Sequence, residues 1–157
     1  MGAAGPFDLV TTYDVLHDAP KPEQLVEEAA AALAPGGVWL LGDMAARDGV
    51  RANVEQHPGA ATMYAFSTCL CMACALSEPG GRGLGTLGFS ERVAREMVLG
   101  RGLFTECRVL HEADNTRWFE VTRGKNHKTI LSTCRRSCTS RFSAPSAGPR
   151  RGTRASR

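Results

Sequence analysis

A short apolar run, Phe7-Asp8-Leu9-Val10, gives way to polar Thr11-Thr12-Tyr13-Asp14, and a second run, Val38-Trp39-Leu40-Leu41, ends on Asp43 after a helix-patterned stretch and a Pro35-Gly36-Gly37 turn. Two buried strands joined by one crossover helix pair in parallel, with a right-handed connection. The chain is thereby committed to an α/β sheet. Ligands of such sheets meet the carboxyl ends of the strands, so the residues after Thr12 and the residue Asp43 are the first places to look for chemistry. The unit opens only seven residues from the N-terminus, and an element that ordinarily precedes it is expected to be missing.

The helix is expected over Pro22 to Leu33. Pro22 suits a first-turn position, Glu23 faces the positive end of the helix dipole, and Leu25, Val26, Ala29, Ala32 and Leu33 recur at spacings of three and four. Pro35 cannot continue it, and Gly36 or Gly37 can take the positive φ that turns the chain into the next strand. Further along, Ala60 to Leu76 reads as helical, and Ser77-Glu78-Pro79-Gly80-Gly81 breaks it. Ser90 is placed to cap a helix from Glu91 to Leu99, with Val93, Ala94, Met97 and Val98 on its apolar face. Phe104 to His111 and Arg117 to Thr122 read as strands, joined tightly enough by Ala113-Asp114-Asn115-Thr116 to form a hairpin, which makes the last strand antiparallel to the others.

Two motifs invite chemistry that their surroundings oppose. Gly83, Gly85 and Gly88 spell G-x-G-x-x-G, yet a phosphate cradle needs a strand before it and a helix starting within it, and here a helix precedes. A flexible loop, or a lid over a pocket, suits the composition better. Cys69, Cys71 and Cys74 suggest thiolate ligation of zinc or an iron-sulfur centre. On a helix, however, Cys69 and Cys71 point about 200° apart, no fourth Cys or His is near, and Phe66, Leu70, Met72 and Leu76 surround them. Core or pocket-lining thiols are expected, and no metal. Cys134 and Cys138 make an equally weak pair.

Length bounds the chain to one domain, and 43% hydrophobic residues can fill an ordinary core. Its charge is divided: residues 1–122 carry nine basic and sixteen acidic groups, residues 123–157 ten basic and none acidic. The Arg-, Ser-, Gly- and Pro-rich end buries too little apolar surface to offset its ordering entropy and is expected to be a disordered basic tail. It reads as a nucleic-acid arm, a solvated tail or a segment of no evolved function, and the acidic body weighs against nucleic acid. The sequence has no apolar span of membrane length and no secretory pattern, so a cytoplasmic chain with reduced thiols is expected, without membrane association.

The stretch FDLVTTYDVLHDAPKPEQLVEEAAAALAPGGVWLLGD resembles the second half of a class I S-adenosylmethionine-dependent methyltransferase: fourth strand, a loop with Leu16-His17-Asp18, helix, Pro-Gly-Gly turn, fifth strand. The segment from Phe66 to Leu110 is similar to a subgroup that carries an N-terminal winged-helix domain, with a long helix and glycine-rich loop after the fifth strand. The resemblance covers about residues 7 to 122 and implies a partial Rossmann-like sheet of strands four to seven, the last antiparallel beside the fifth. It implies methyl transfer from S-adenosylmethionine to a small-molecule acceptor. Tyr13, Asp14, His17 and Asp18 would then face the donor, with Asp14 either orienting its amino group or bonding within the loop. His17 would serve as base, its ordinary pKa near 6.5 being suited to the task, or would order the loop with Asp18. Asp43 would line the acceptor pocket, with Tyr64, Phe66 and Met72 as apolar walls or core residues.

The glycine-rich loop after the family's first strand, its ribose-binding acid and its adenine-contacting segment have no counterpart in these residues. The resemblance therefore implies weak donor binding by this chain alone, and an unpaired apolar edge along Phe7 to Leu16 where the first strand would sit. Two functions remain: a truncated methyltransferase, or a catalytically inactive α/β module that associates with itself or another chain through that edge.

Overall fold

The computed structural model describes residues 6–123. The basic tail, with Cys134 and Cys138, lies outside the described residues. Strand β1 (Phe7–Tyr13) leads to helix α1 (Pro22–Ala32) and strand β2 (Leu33–Met44), and the two strands pair in parallel from Leu9 opposite Val38 to Tyr13 opposite Gly42. Helices α2 (Gly49–Gln56), α3 (Ala60–Phe66), α4 (Met72–Ala75) and α5 (Glu91–Leu99) follow, then strands β3 (Glu106–Ala113) and β4 (Thr116–Thr122). The sheet order is β1-β2-β4-β3, with β4 antiparallel to both neighbours. This is the antiparallel insertion expected for the last strand. The four-stranded open sheet with its helices is a mixed α/β architecture with β1 at one edge.

Local signals explain most elements. Pro22 opens α1, and the expected helix falls short by one residue because Leu33 already pairs with Phe7. The expected turn at Pro35-Gly36-Gly37 is present as a loop within β2: Phe7 pairs with Leu33 and Leu9 with Val38, so Ala34 to Gly37 bulge out opposite Asp8, with Gly36 at φ 78°. A side chain on Gly37 would sit 2.9 Å from the Phe7 carbonyl. The helix read over Ala60 to Leu76 is observed with a π-helical segment, Ser67–Cys71, between α3 and α4. Ser90 caps α5 as expected, its hydroxyl accepting from the Val93 N–H at 3.3 Å. Asp114 and Asn115 take φ of 50° and 63°, the left-handed pair of a tight hairpin turn.

The core lies on one face of the sheet. Val26, Ala29 and Ala30 of α1 and Ala94, Met97 and Val98 of α5 pack over Trp39, Leu41, Phe119 and Val121, with Leu16 and Phe89 closing the carboxyl end. Burying each such Val, Leu or Phe is worth about 1.5–3 kcal/mol, which fixes the strand ends beneath the loops that follow them. A smaller cluster, Ala46, Ala60 and Leu87 with Met44, Met63 and Tyr64, seats α3 beside the end of β2.

The segment after α4 returns to the loop that follows β1. Arg82 N–H donates to the Pro20 carbonyl at 2.9 Å, Gly85 N–H to the His17 carbonyl at 3.1 Å, and Thr86 N–H to the Ser67 hydroxyl at 3.1 Å. The glycines serve this close approach: a side chain on Gly85, at φ 69°, would collide with Ser67 and Met72. The G-x-G-x-x-G stretch is thus a loop, as expected. It wraps the chain's own helix and offers no phosphate cradle.

Candidate active site at the carboxyl ends of the parallel strands

Two consecutive breaks in regular structure assemble the site. β1 ends at Tyr13, and Asp14 turns the chain with φ 56°, a conformation unusual for a residue with a side chain, while its N–H donates to the Gly42 carbonyl at 2.9 Å. Such backbone strain persists where surrounding contacts hold it. The chain then buries Leu16 and His17 completely and brings His17 over the end of β2. There Asp43, also fully buried, accepts from His17 Nδ1 at 2.7 Å and from the Leu16 N–H at 3.2 Å. The same carboxylate accepts from the Met44 N–H at 2.8 Å. A carboxylate can only accept, so Nδ1 carries a proton and Nε2 is the nitrogen left to act.

Three acids crowd one imidazole. Asp18 Oδ1 lies 3.0 Å from His17 Nε2, and Asp14 Oδ1 lies 3.6 Å from Nδ1. Burial pushes the His17 pKa down, but the hydrogen bond to Asp43 and the charges of Asp43, Asp18 and Asp14 outweigh it and hold it above the ordinary value. Burial raises the Asp14 pKa, opposed by His17 and reinforced by Asp43 and Asp18. The result is a shielded imidazole of enhanced basicity, flanked by two acids whose side chains are each rather more than a third exposed.

Of the residues named from the sequence, Asp14, His17, Asp18 and Asp43 come together and the rest do not. Tyr13 is exposed and stacks on Trp118 with ring centroids 5.3 Å apart, across Gly42, where any side chain would strike the indole. Asp43 lies beneath His17 and not along a pocket with Tyr64, Phe66 and Met72. Phe66 points to solvent, Met72 packs against Gly83 and Gly85, and Tyr64 lines a separate open cavity of about 240 Å³ with Arg47, Leu87, Ser90 and Arg92.

The thiols are likewise divided. Cys71 is buried, whereas Cys69 and Cys74 are exposed, which corrects the expectation of core or pocket-lining thiols for those two. Cys71 reaches the site, its Sγ accepting from the Thr86 hydroxyl at 2.8 Å and lying close to Asp18 and His17. Sequence reasoning placed it in a core or pocket without linking it to His17. No local signal joins residues so far apart, and the link depends on the π-helical segment and the returning loop.

Residues 3–41 match the family described as methyltransferase domain. No curated protein sequence matches the chain. Among solved structures, a putative O-methyltransferase from Nostoc punctiforme superposes with a TM-score of 0.54 at 22% identity, over 76% of this chain and 32% of its own. An O-methyltransferase family protein from Burkholderia thailandensis gives 0.53 at 18%, over 79% and 32%. PigF with SAH gives 0.52 at 17%, over 75% and 31%. The chain spans about a third of the length of these neighbours, and its fold matches part of their Rossmann-like methyltransferase fold.

Proposed function

We propose that this chain supplies the acceptor side of an S-adenosylmethionine-dependent methyltransferase acting on a small molecule that bears an ionisable hydroxyl, with His17 as its base. The observation that carries this reading is the buried Asp43 carboxylate 2.7 Å from His17 Nδ1, which leaves Nε2 as the acceptor of the substrate's proton. When bound, S-adenosylmethionine provides an electrophilic methyl on sulfonium. His17 Nε2 would take the proton of the acceptor hydroxyl, and the negative charges of Asp43, Asp14 and Asp18 would stabilise the resulting imidazolium. Asp43 does not touch substrate. It positions His17 and fixes its tautomer.

The fit to the donor is partial. Tyr13, Asp14 and Asp18 offer one polar rim at the carboxyl end of β1, while the only glycine-rich loop among the described residues packs on its own helix. The chain alone is accordingly expected to bind the donor weakly. Mapping backbone amide shifts with S-adenosylhomocysteine at millimolar concentration tests the reading. Changes should concentrate on residues 13–18, and changes confined to the cavity beside Tyr64 would remove the assignment. Micromolar affinity by calorimetry would instead overturn the expectation of impaired binding.

One observation favours a second reading, a catalytically silent docking module. Among the described residues β1 is one edge of the sheet, and Phe7, Leu9 and Tyr13 on it are exposed.

A further inference from the structure

Cys71 has no part in the proposed proton transfer, yet its sulfur is directed at the same place as the His17 nitrogen that performs it. Three atoms of different chemistry, His17 Nε2, Asp18 Oδ1 and Cys71 Sγ, lie within 4.8 Å of one another. They come from two segments, the loop after β1 and the π-helical turn before α4, tied together by the Gly85 and Thr86 backbone bonds. With Nδ1 donating to Asp43, Nε2 faces Asp18 Oδ1 across 3.0 Å, an ion pair when the imidazole is protonated and a lone pair facing a carboxylate oxygen when it is not. A proton bridges that gap in the absence of metal, and a divalent cation that also reaches Cys71 Sγ can take its place. Each buried ligand atom is also held from behind, the imidazole by the Asp43 carboxylate and the sulfur by the Thr86 hydroxyl at 2.8 Å. Such outer partners orient the ligands of protein-bound zinc.

We propose that His17 Nε2, Asp18 Oδ1 and Cys71 Sγ form a site for one thiophilic divalent cation of the zinc class, with a fourth position left for water or an exogenous ligand. Zinc bonds of about 2.0–2.3 Å to nitrogen, oxygen and sulfur give tetrahedral edges of roughly 3.3–3.8 Å. The three atoms lie within 4.8 Å of one another, and Asp18, whose side chain is partly exposed, can adjust toward that spacing. The imidazole, thiolate and carboxylate set selects zinc over magnesium or calcium, which take oxygen ligands. On binding, the Cys71 thiol and a protonated Nε2 each release their proton to solvent, and the cation takes the sulfur and nitrogen lone pairs. The alternative Asp14, His17 and Asp43 grouping is less suited, because Asp43 already accepts from Leu16, His17 and Met44. Loss of methyl transfer in the cation-loaded state is a consequence that rests on His17 acting as base, whereas the site itself does not.

The test is a Co²⁺ titration of the full chain with Cys69, Cys74, Cys134 and Cys138 replaced by serine, followed by displacement with Zn²⁺. One saturable equivalent is expected, with a thiolate-to-cobalt band in the near ultraviolet that Zn²⁺ discharges. Cys71→Ser should abolish the band, and Asp18→Asn, at a partly exposed position that leaves the fold intact, should weaken binding by about tenfold or more. Circular dichroism of each variant separates loss of ligation from loss of fold. Absence of saturable binding below millimolar Co²⁺, or binding unchanged in folded Asp18→Asn, overturns the proposal without bearing on methyl transfer.

Discussion

Asp43 is the residue on which the site's geometry depends, because one buried carboxylate accepts from Leu16, His17 and Met44. Removing it leaves two backbone N–H groups and an imidazole without their acceptor in a space that excludes water. Each buried orphan costs about 1–3 kcal/mol, so Asp43→Ala should destabilise the chain by about 3 kcal/mol or more in urea unfolding. A loss under about 1 kcal/mol would mean that the loop after β1 refolds around the vacancy. The thiols give an independent check on the same packing. Cys69 and Cys74 are exposed, Cys71 is buried, and burial pushes the Cys107 thiol up to about 11, against the lowering effect of Arg95. With a disulfide reagent at mildly alkaline pH and peptide mapping of the products, Cys69 and Cys74 should label first, and Cys107 only on unfolding. Early labelling of Cys107 would contradict the packing of α5 on the sheet.

The hairpin joining β3 and β4 places two testable demands on single elements. Asn115 holds φ 63° while its carbonyl accepts from the Ala45 N–H at 2.8 Å, tying the turn to the end of β2. Asn115→Ala keeps that backbone bond and should cost about 1 kcal/mol from the left-handed conformation alone, measured by thermal unfolding. Glu112 on β3 joins Arg47 at 2.9 Å and Arg117 at 2.8 Å. Burial raises its pKa, but hydrogen bonds from Arg47 and Arg117, with their charges, outweigh this and hold it below the ordinary carboxylate value. Since the folded pKa is depressed, the stabilisation is present above the unfolded pKa, near 4.3, and is lost as pH falls through the folded value. Glu112→Gln should therefore flatten the fall in urea midpoint with acidification below about pH 4.3, an effect of less than about 1 kcal/mol for a side chain a third exposed. An unchanged acid limb would refute it.

Elements of this kind were legible because their signals are local: Pro22 at a helix start, Ser90 as a cap, Asp114-Asn115 at a hairpin tip. The bulge in β2 was hidden because Pro35-Gly36-Gly37 signals a turn whether the strand begins before or after it. The π-helical segment was hidden because Ser67 to Cys71 fits a helix of either kind. At the site, strand topology alone put Asp14, His17, Asp18 and Asp43 at one end of the sheet. Which of them touch depends on packing that places Leu16 in the core, and no periodicity encodes that.

For the molecule as a whole, the docking reading turns on β1. It pairs only with β2 among the described residues, so one row of its backbone groups is unsatisfied by the sheet. Val10 points into the core, while Phe7, Leu9 and Tyr13, on the alternate positions, are exposed. An edge both unpaired and apolar favours association with another strand, since each added pair recovers backbone hydrogen bonds and covers side chains together. Leu9 is the strongest test position, being central to the edge and 46% exposed. Leu9→Lys retains the pairing with Val38 and puts a charge where a second strand would dock, the device by which natural sheets protect their edges. Light scattering over a range of concentrations should show the parent chain's mass rising and the Leu9→Lys mass staying at that of a monomer. Stability should change by less than about 1 kcal/mol, as for most partly exposed positions. If the parent chain is itself monomeric throughout, the edge does not mediate self-association, and the docking reading loses the observation that favours it.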